Sequence, residues 1–304
     1  KGIEKCSVIL MPLLVIIIVG IAIYSLTLKD AESGRTAIDG LKIYLIPNFE
    51  GMTITKFLRV ILDAVGQLFF SMSLAMGIMI TYGSYTKKDS NLVSSVNRIE
   101  IFDTGIALLA GLIMIPAVYC FMGTKGLEAS GPGLLFVSLP QVFGAMGTVG
   151  GFIGAMFFLL VIFAALTSSI SILEAVVSMF MDRFKMSRRR AVFISIVIAA
   201  VVGIIVCLGY NIWYFKLELP NGTPNNQILD VLDWITNYLL MPVVAISTCI
   251  VFGWVTGTDF ITDEVKANGE KFGREKLYVI MIKYVCPVLL LLILLNSFGV
   301  FNQK

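Results

Sequence analysis

The sequence contains no histidine and little charge. Of its 304 residues, 14% are Asp, Glu, Lys or Arg, whereas 58% are hydrophobic. Without histidine, the chain has no Ser-His-Asp triad, no imidazole ligand for a metal and no histidine proton relay. A soluble domain is typically about 25% charged and about 45–50% apolar. The mean hydropathy of +0.91 therefore predicts a membrane protein.

Cysteine is also scarce and dispersed. The five cysteines lie far apart, in or beside apolar runs, and form no Cys-x-x-Cys pair. This distribution is typical of buried free thiols. The sequence also lacks a serine-centred nucleophile motif, so it predicts that the protein is not an enzyme.

Long apolar runs are abundant, by contrast. A helix that crosses a bilayer needs roughly 20 mostly apolar residues. Seven runs meet this length: about 6–28, 56–84, 101–122, 150–181, 191–210, 230–255 and 277–300. Because no alternating barrel pattern is present, helices must satisfy the backbone within lipid. We predict an all-α, multi-pass protein of the cell (plasma) membrane, with the lipid bilayer as a partner.

Basic residues predict the orientation of the chain. Lys and Arg are concentrated at the start of the chain, around 87–98, in "DRFKMSRRR" (182–190) and in 266–276. The seven spans place these four segments on one side, which the positive-inside rule assigns to the cytoplasm. The run at 182–190 also resembles a nucleic-acid-binding stretch. Beside a membrane span we interpret it as a topology anchor, and we predict no nucleic-acid partner.

Two spans carry small and polar residues at their centres. One is "VGQLFFSMSLAMGIMITYGSY" (65–85), and the other is 163–184, where Thr167, Ser168, Ser169 and Ser171 occupy little more than one turn. One interpretation is structural, because a hydroxyl can bond back to a carbonyl of its own helix. The other is functional, because hydroxyl and carbonyl oxygens are the ligands of small hard cations.

The composition of 65–85 favours a helix that breaks within the membrane. Gly66, Ser71, Ser73, Ala75 and Gly77 are all small, and Ser and Gly are weak helix formers. A break there frees carbonyls and directs a helix N-terminus at an anion. We predict a cation and solute site between the second and fourth spans. Asp103 and Glu174 add charge within or beside spans, where ionisable residues mark functional sites or tight pairs.

The stretches "KGIEKCSVILMP" (1–12), 65–85 and 163–182 resemble helices 5, 6 and 8 of the neurotransmitter:sodium symporter family, especially its bacterial amino-acid transporters. The resemblance extends to about residue 300. It implies one transmembrane domain over 1–304 with a leucine-transporter-like inverted-repeat bundle: helix 5 at 6–28, the second repeat at about 56–255 and helix 11 at 277–300. The first four family helices are absent, so we expect this chain to be the C-terminal part of a transporter and to need them as partners.

The resemblance also implies site residues. Two sodium sites would each be partly present, the first with Ser71 and Asp103, the second with Ala164, Thr167 and Ser168. The substrate-binding residues implied are Phe70, Ser71, Ser73, Met76, Ser168 and Ile172. The residues of the gates implied are Gln67, Asp233, Tyr85 and Asp182, the first two on the extracellular side, with Phe70 as an aromatic lid.

The function implied is sodium-coupled symport of an amino acid, with an apolar or aromatic side chain, by alternating access. Asp103 stands where the leucine transporter and the animal members of the family have Asn, and the animal members use a nearby chloride. We therefore hypothesise that its carboxylate makes chloride unnecessary. The alternative for Asp103 is a local ion pair at the start of a helix. Ala75 departs from the Gly common at the unwound turn. The alternative is a channel or receptor-like bundle with a sodium and solute site but no transport.

Overall fold

The apolar runs form helices. A computed structural model describes residues 2–30, 34–127, 131–220 and 227–300, with side chains from residue 8 onward. The helices are α1 (Gly2–Leu26), α2 (Ala37–Leu45), α3 (Ile54–Ser71), α4 (Ile78–Tyr85), α5 (Leu92–Gly126), α6 (Gly131–Ala145), α7 (Thr148–Phe184), α8 (Arg188–Gly209), α9 (Ile228–Val255), α10 (Asp259–Lys266) and α11 (Glu275–Ser297). These ranges contain no β-strand, which confirms the all-α prediction.

Within the described ranges, six helices are long and apolar enough to cross a membrane, by length and composition: α1, α5, α7, α8, α9 and α11. They correspond to six of the seven predicted spans, and α5 begins well before the predicted 101–122. The seventh predicted span, 56–84, is not one helix. It consists of α3 and α4, separated at residues 72–77.

Three helices widen into a π-helical turn just before a proline. The widened turns are Leu134–Ser138, Trp234–Leu240 and Met281–Val285, and the prolines Pro140, Pro242 and Pro287 each follow two residues later. Proline lacks an N–H and clashes with the carbonyl four residues before it. Widening the turn moves that carbonyl aside without ending the helix, and such turns often occur at functional sites.

The chain divides into two compact units. The first unit is Lys1–Glu50 with Glu100–Ser171, and the second is Gly51–Ile99 with Ile172–Lys304. The core of the first unit includes Ile18, Val118 and Val142, from α1, α5 and α6. In the second unit, Ala245 and Cys249 of α9 pack with Leu290 of α11. The 72–77 segment joins this second core through Ala75.

Candidate functional site

The break between α3 and α4 begins with a defined helix ending. The N–H of Ser73 donates to the carbonyl of Phe70 (3.1 Å), and the N–H of Leu74 donates to the carbonyl of Phe69 (2.9 Å). This pair of bonds is a Schellman motif, in which the residue after the cap is left-handed and usually glycine. Here Ser73 occupies that position, with φ 54°.

The left-handed backbone continues through the break. Ala75 has φ 60° and Gly77 has φ 78°. A left-handed conformation costs roughly 1–2 kcal/mol for a residue with a Cβ. Ser73 and Ala75 both have one, so the six-residue break stores strain. Strain of this kind is concentrated at functional sites.

The break exposes backbone polar groups. The carbonyls of Ser73, Leu74, Ala75 and Met76 lie outside the backbone hydrogen-bond ladders of α3 and α4. On the other side of the break, α4 starts at Ile78 without a side-chain cap. The predicted broken helix is therefore confirmed, with carbonyls at the break and N–H groups at the start of α4.

A cavity of about 710 Å³ lies beside the break, within the second unit. Its walls come from α4, the C-terminal part of α7 and the widened turn of α9. Four residues predicted for the substrate pocket or the gates line it: Phe70, Met76, Ile172 and Asp182. The lining also includes Ala75 and is mainly apolar, apart from a few polar groups such as Thr81 and Asn237.

A second cavity, of about 350 Å³, also lies in the second unit and is more polar. It is lined by both predicted outer-gate residues, Gln67 and Asp233. Phe70 lines this cavity as well as the larger one. Phe70 therefore lies between the two cavities, and its role as a lid stays a prediction.

Three polar residues of the second cavity escaped the sequence interpretation: Asp63, Asn237 and Asn296. Asn237 donates its amide hydrogen to the Asp233 carboxylate. Helical spacing was the missed signal, because Asp63 precedes Gln67 by four residues and Asn237 follows Asp233 by four. Residues four apart share a helical face.

Glu174 is held by an ion pair. It is 5% exposed, and its carboxylate accepts two hydrogen bonds from Arg188, at 3.0 and 2.6 Å. The Tyr85 hydroxyl donates a third, at 2.8 Å. Of the two outcomes expected for this intramembrane charge, the tight pair is the one observed. Arg188 was interpreted only as a topology anchor, and its partner lies 14 residues away, too far for a helical-spacing signal.

The α7 hydroxyls mostly bond back to their own helix. Thr167 donates to the carbonyls of Phe163 (3.1 Å) and Ala164 (3.0 Å). Ser169 and Ser171 donate to the carbonyls four residues earlier, at 2.7 and 3.0 Å. Within the described part of the chain, Ser168 is the member of this cluster without such a bond.

The residues of the two predicted sodium sites are distributed differently between the two units. Ala164, Thr167 and Ser168 lie on one turn of α7, in the first unit. For the other site, Asp103 belongs to the first unit and Ser71 to the second. Asp103 is half-buried and Ser71 is exposed. The assignment of these residues to sodium stays a prediction, as do the substrate and gate roles.

Comparisons with known proteins agree with this architecture. MhsT, in its crystal structure in complex with L-phenylalanine, superposes with a TM-score of 0.80 and 32% identity, covering 98% of this chain and 63% of MhsT. An uncharacterised sodium-dependent transporter of Haemophilus influenzae is 32% identical over 97% of this chain and 60% of its own length. The sodium-dependent transporter YhdH of Bacillus subtilis is 31% identical over 99% of this chain and 63% of its own length.

The chain spans about three-fifths of the length of these relatives. The match to MhsT confirms the predicted leucine-transporter-like fold, and the six apolar helices confirm a multi-pass membrane protein. The relatives are transporters, in agreement with the prediction that the chain is not an enzyme. Residues 1–304 match the family model throughout, so this chain belongs to the Sodium:neurotransmitter symporter family.

Proposed function

We propose that the transporter containing this chain couples sodium to the movement of an amino acid with an apolar or aromatic side chain. The observation that carries the proposal is the strained break at 72–77 beside a cavity lined by Phe70, Met76 and Ile172. Apolar walls with a few convergent polar groups are typical of small-molecule sites. Sodium and substrate would bind together, close the outer gate and leave on the inner side.

The break offers groups that complement a zwitterion. The carbonyls of Ser73, Leu74, Ala75 and Met76 can accept hydrogen bonds from an ammonium group. The N–H groups at the start of α4 favour a carboxylate, through both their hydrogen bonds and the helix dipole. The apolar cavity wall then faces the side chain. The L-phenylalanine bound to MhsT supports an aromatic substrate.

The proposed sodium ligands are oxygen atoms, as a hard cation requires. A hydroxyl that donates its hydrogen keeps lone pairs for a cation. The bonds from Thr167 to carbonyls of α7 are therefore compatible with sodium binding, and they orient its oxygen. Ala164 would contribute its carbonyl and Ser168 its hydroxyl. Ser71 and Asp103 are the residues of this chain that the family resemblance assigns to the other site.

Alternating access needs gates on both sides of the substrate. On the outer side, Gln67, Asp233 and the Phe70 lid share the smaller cavity, which supports their proposed role. On the inner side we assign Tyr85 and Asp182. Tyr85 donates a part-buried hydrogen bond to Glu174, which is itself paired with Arg188, so movement of α4 relative to α7 would break that bond.

Uptake of radiolabelled L-phenylalanine by liposomes containing the intact transporter tests the proposal. We expect saturable uptake that requires sodium and continues when gluconate replaces chloride, because Asp103 supplies the negative charge. Asp103→Asn should make uptake chloride-dependent. Uptake unaffected by replacing sodium with choline would refute the coupling. Loss of uptake in gluconate by the parent protein would refute chloride independence alone, and flux that never saturates would favour a channel.

A further inference from the structure

Lys283 lies within an apolar membrane helix without a carboxylate partner. It is the ninth residue of α11, and it is half-buried. Among the residues that the structure describes, no Asp or Glu oxygen lies within 4 Å of its ammonium group. A charged residue within a membrane segment is expensive and pairs with another group by default.

The backbone around Lys283 is held by α9. Pro287 cannot donate to the carbonyl of Lys283, four residues earlier. The indole N–H of Trp254 donates to that carbonyl instead, at 3.3 Å. A Cβ at Gly253 would lie at ordinary contact distance from the carbonyl oxygen of Ile282 (3.4 Å) and from Cγ of Lys283 (3.5 Å), so α9 packs directly against this turn of α11.

Two aromatic rings lie beside the turn that contains Lys283. The rings of Trp254 and Tyr284 form an edge-to-face pair with centroids 5.8 Å apart. Trp254 is 61% exposed and Tyr284 is 57% exposed, so this pair faces the surroundings of the chain. We call Lys283, Trp254 and Tyr284 the Lys283 cluster. The Tyr284 hydroxyl has no hydrogen-bond partner among the described residues, which leaves its donor for a ligand.

The cluster lies near the cytoplasmic surface of the membrane. The segment 256–276 is cytoplasmic by the positive-inside rule. Lys283 follows Lys276 by seven residues, which places it about 10 Å further along the helix on the same face. Side chains of a helix lean toward its N-terminus, and α11 begins on the cytoplasmic side. The ammonium group of Lys283 therefore extends toward the lipid headgroups, at the level where Trp and Tyr collect.

We propose that the Lys283 cluster binds the phosphate of an anionic phospholipid in the cytoplasmic leaflet. The ammonium group supplies the charge, the Tyr284 hydroxyl supplies a hydrogen bond, and Trp254 packs against the glycerol and the upper acyl chain. Lys276, exposed on the same face, adds a second positive charge nearer the cytoplasm. A phosphate ion in solution has the same chemistry but lacks the acyl chains that the exposed aromatic pair accommodates.

Quenching of Trp254 fluorescence by brominated lipids tests this site. In the intact transporter, every other tryptophan, Trp213 and Trp234 included, is replaced by Phe. The protein is then reconstituted in vesicles that mix plain phosphatidylcholine with brominated phosphatidylglycerol or brominated phosphatidylcholine. We expect phosphatidylglycerol to bind about fivefold more tightly near Trp254, the effect of one basic residue at an anionic surface. Lys283→Gln should abolish this preference, and Lys283→Arg should retain it.

Three controls separate the outcomes. Quenching by brominated phosphatidylcholine should be the same in the parent and in Lys283→Gln, because Trp254 still faces lipid when the variant is folded. Lys271→Gln, which removes a charge from the same cytoplasmic segment, should keep the preference. Excess inorganic phosphate should not reduce it. Equal quenching by the two lipids in the parent, a preference that survives Lys283→Gln, or competition by inorganic phosphate would each overturn the proposal.

Discussion

The two spans with polar centres adopt opposite structures. Residues 54–85 break into α3 and α4, whereas residues 148–184 form the single helix α7. Both carry several Ser and Thr side chains at depth, so polarity alone does not break a membrane helix. In α7 the hydroxyls bond to carbonyls of their own helix. In the 72–77 segment it is the backbone that leaves the helical conformation.

The position of glycine separates the two spans. Each contains three glycines, but Gly150, Gly151 and Gly154 lie in the first two turns of α7, and its polar part, 163–184, contains neither Gly nor Pro, whereas Gly77 lies within the polar part of 65–85. Gly77 adopts a left-handed conformation at no steric cost, and it is the residue immediately before α4, where the helical conformation resumes. The comparison teaches that a membrane helix needs a permissive backbone position, in addition to small polar side chains, before it unwinds.

The largest effect on stability is expected from removing the arginine that pairs with the buried Glu174 carboxylate of α7. This change tests how α7 holds a buried charge without unwinding. Arg188→Ala leaves the Glu174 carboxylate buried with only the Tyr85 hydroxyl. Removing one partner of a fully buried pair costs about 3–5 kcal/mol. Arg188 is half exposed, so we expect a loss of about 2 kcal/mol in the free energy of unfolding, measured by equilibrium unfolding in mixed micelles.

Arg189→Ala is the matched control, since it removes the same charge from the next residue of the basic run. Arg189 is exposed and has no partner among the described residues. Its loss should change the free energy of unfolding by less than about 0.5 kcal/mol. If the two variants lose the same stability, the pair with Glu174 does not support α7.

Local sequence was enough to predict the break between α3 and α4, but not the other details of the site. The break could be predicted because its cause lies within seven residues, from Ser71 to Gly77. The lining of the larger cavity could not be derived from local pattern, because Met76 and Ile172 meet through tertiary packing and were named only through the family resemblance. The partner of Glu174 also depends on the turn between α7 and α8. Sequence identified the charge as costly, but the structure was needed to show which arginine neutralises it.

A smaller effect is expected from one substitution made in both spans. Ala75→Gly relieves a left-handed alanine, which we expect to raise the free energy of unfolding by roughly 1 kcal/mol. Ala165→Gly, in the regular part of α7, should lower it by about 0.5–1 kcal/mol, because glycine weakens a helix. Changes of opposite sign in the free energy of unfolding would support the conclusion that one span is unwound and the other is a regular helix. Changes of the same sign would mean that the left-handed turn at Ala75 is not part of the folded state.

The smallest effect on stability is expected from the α7 hydroxyls. A hydroxyl that bonds back to its own helix contributes little, so without sodium Thr167→Val and Ser169→Ala should each change the free energy of unfolding by less than about 0.5 kcal/mol. Sodium should then separate them. A ligand that binds only the folded state raises its stability, and Thr167 is a proposed ligand whereas Ser169 is not. In the intact transporter, sodium should stabilise the parent and Ser169→Ala alike and should stabilise Thr167→Val much less. Equal stabilisation of all three would mean that the hydroxyls of α7 have only a structural role. The broken helix would then belong to the binding site, and α7 would only support it.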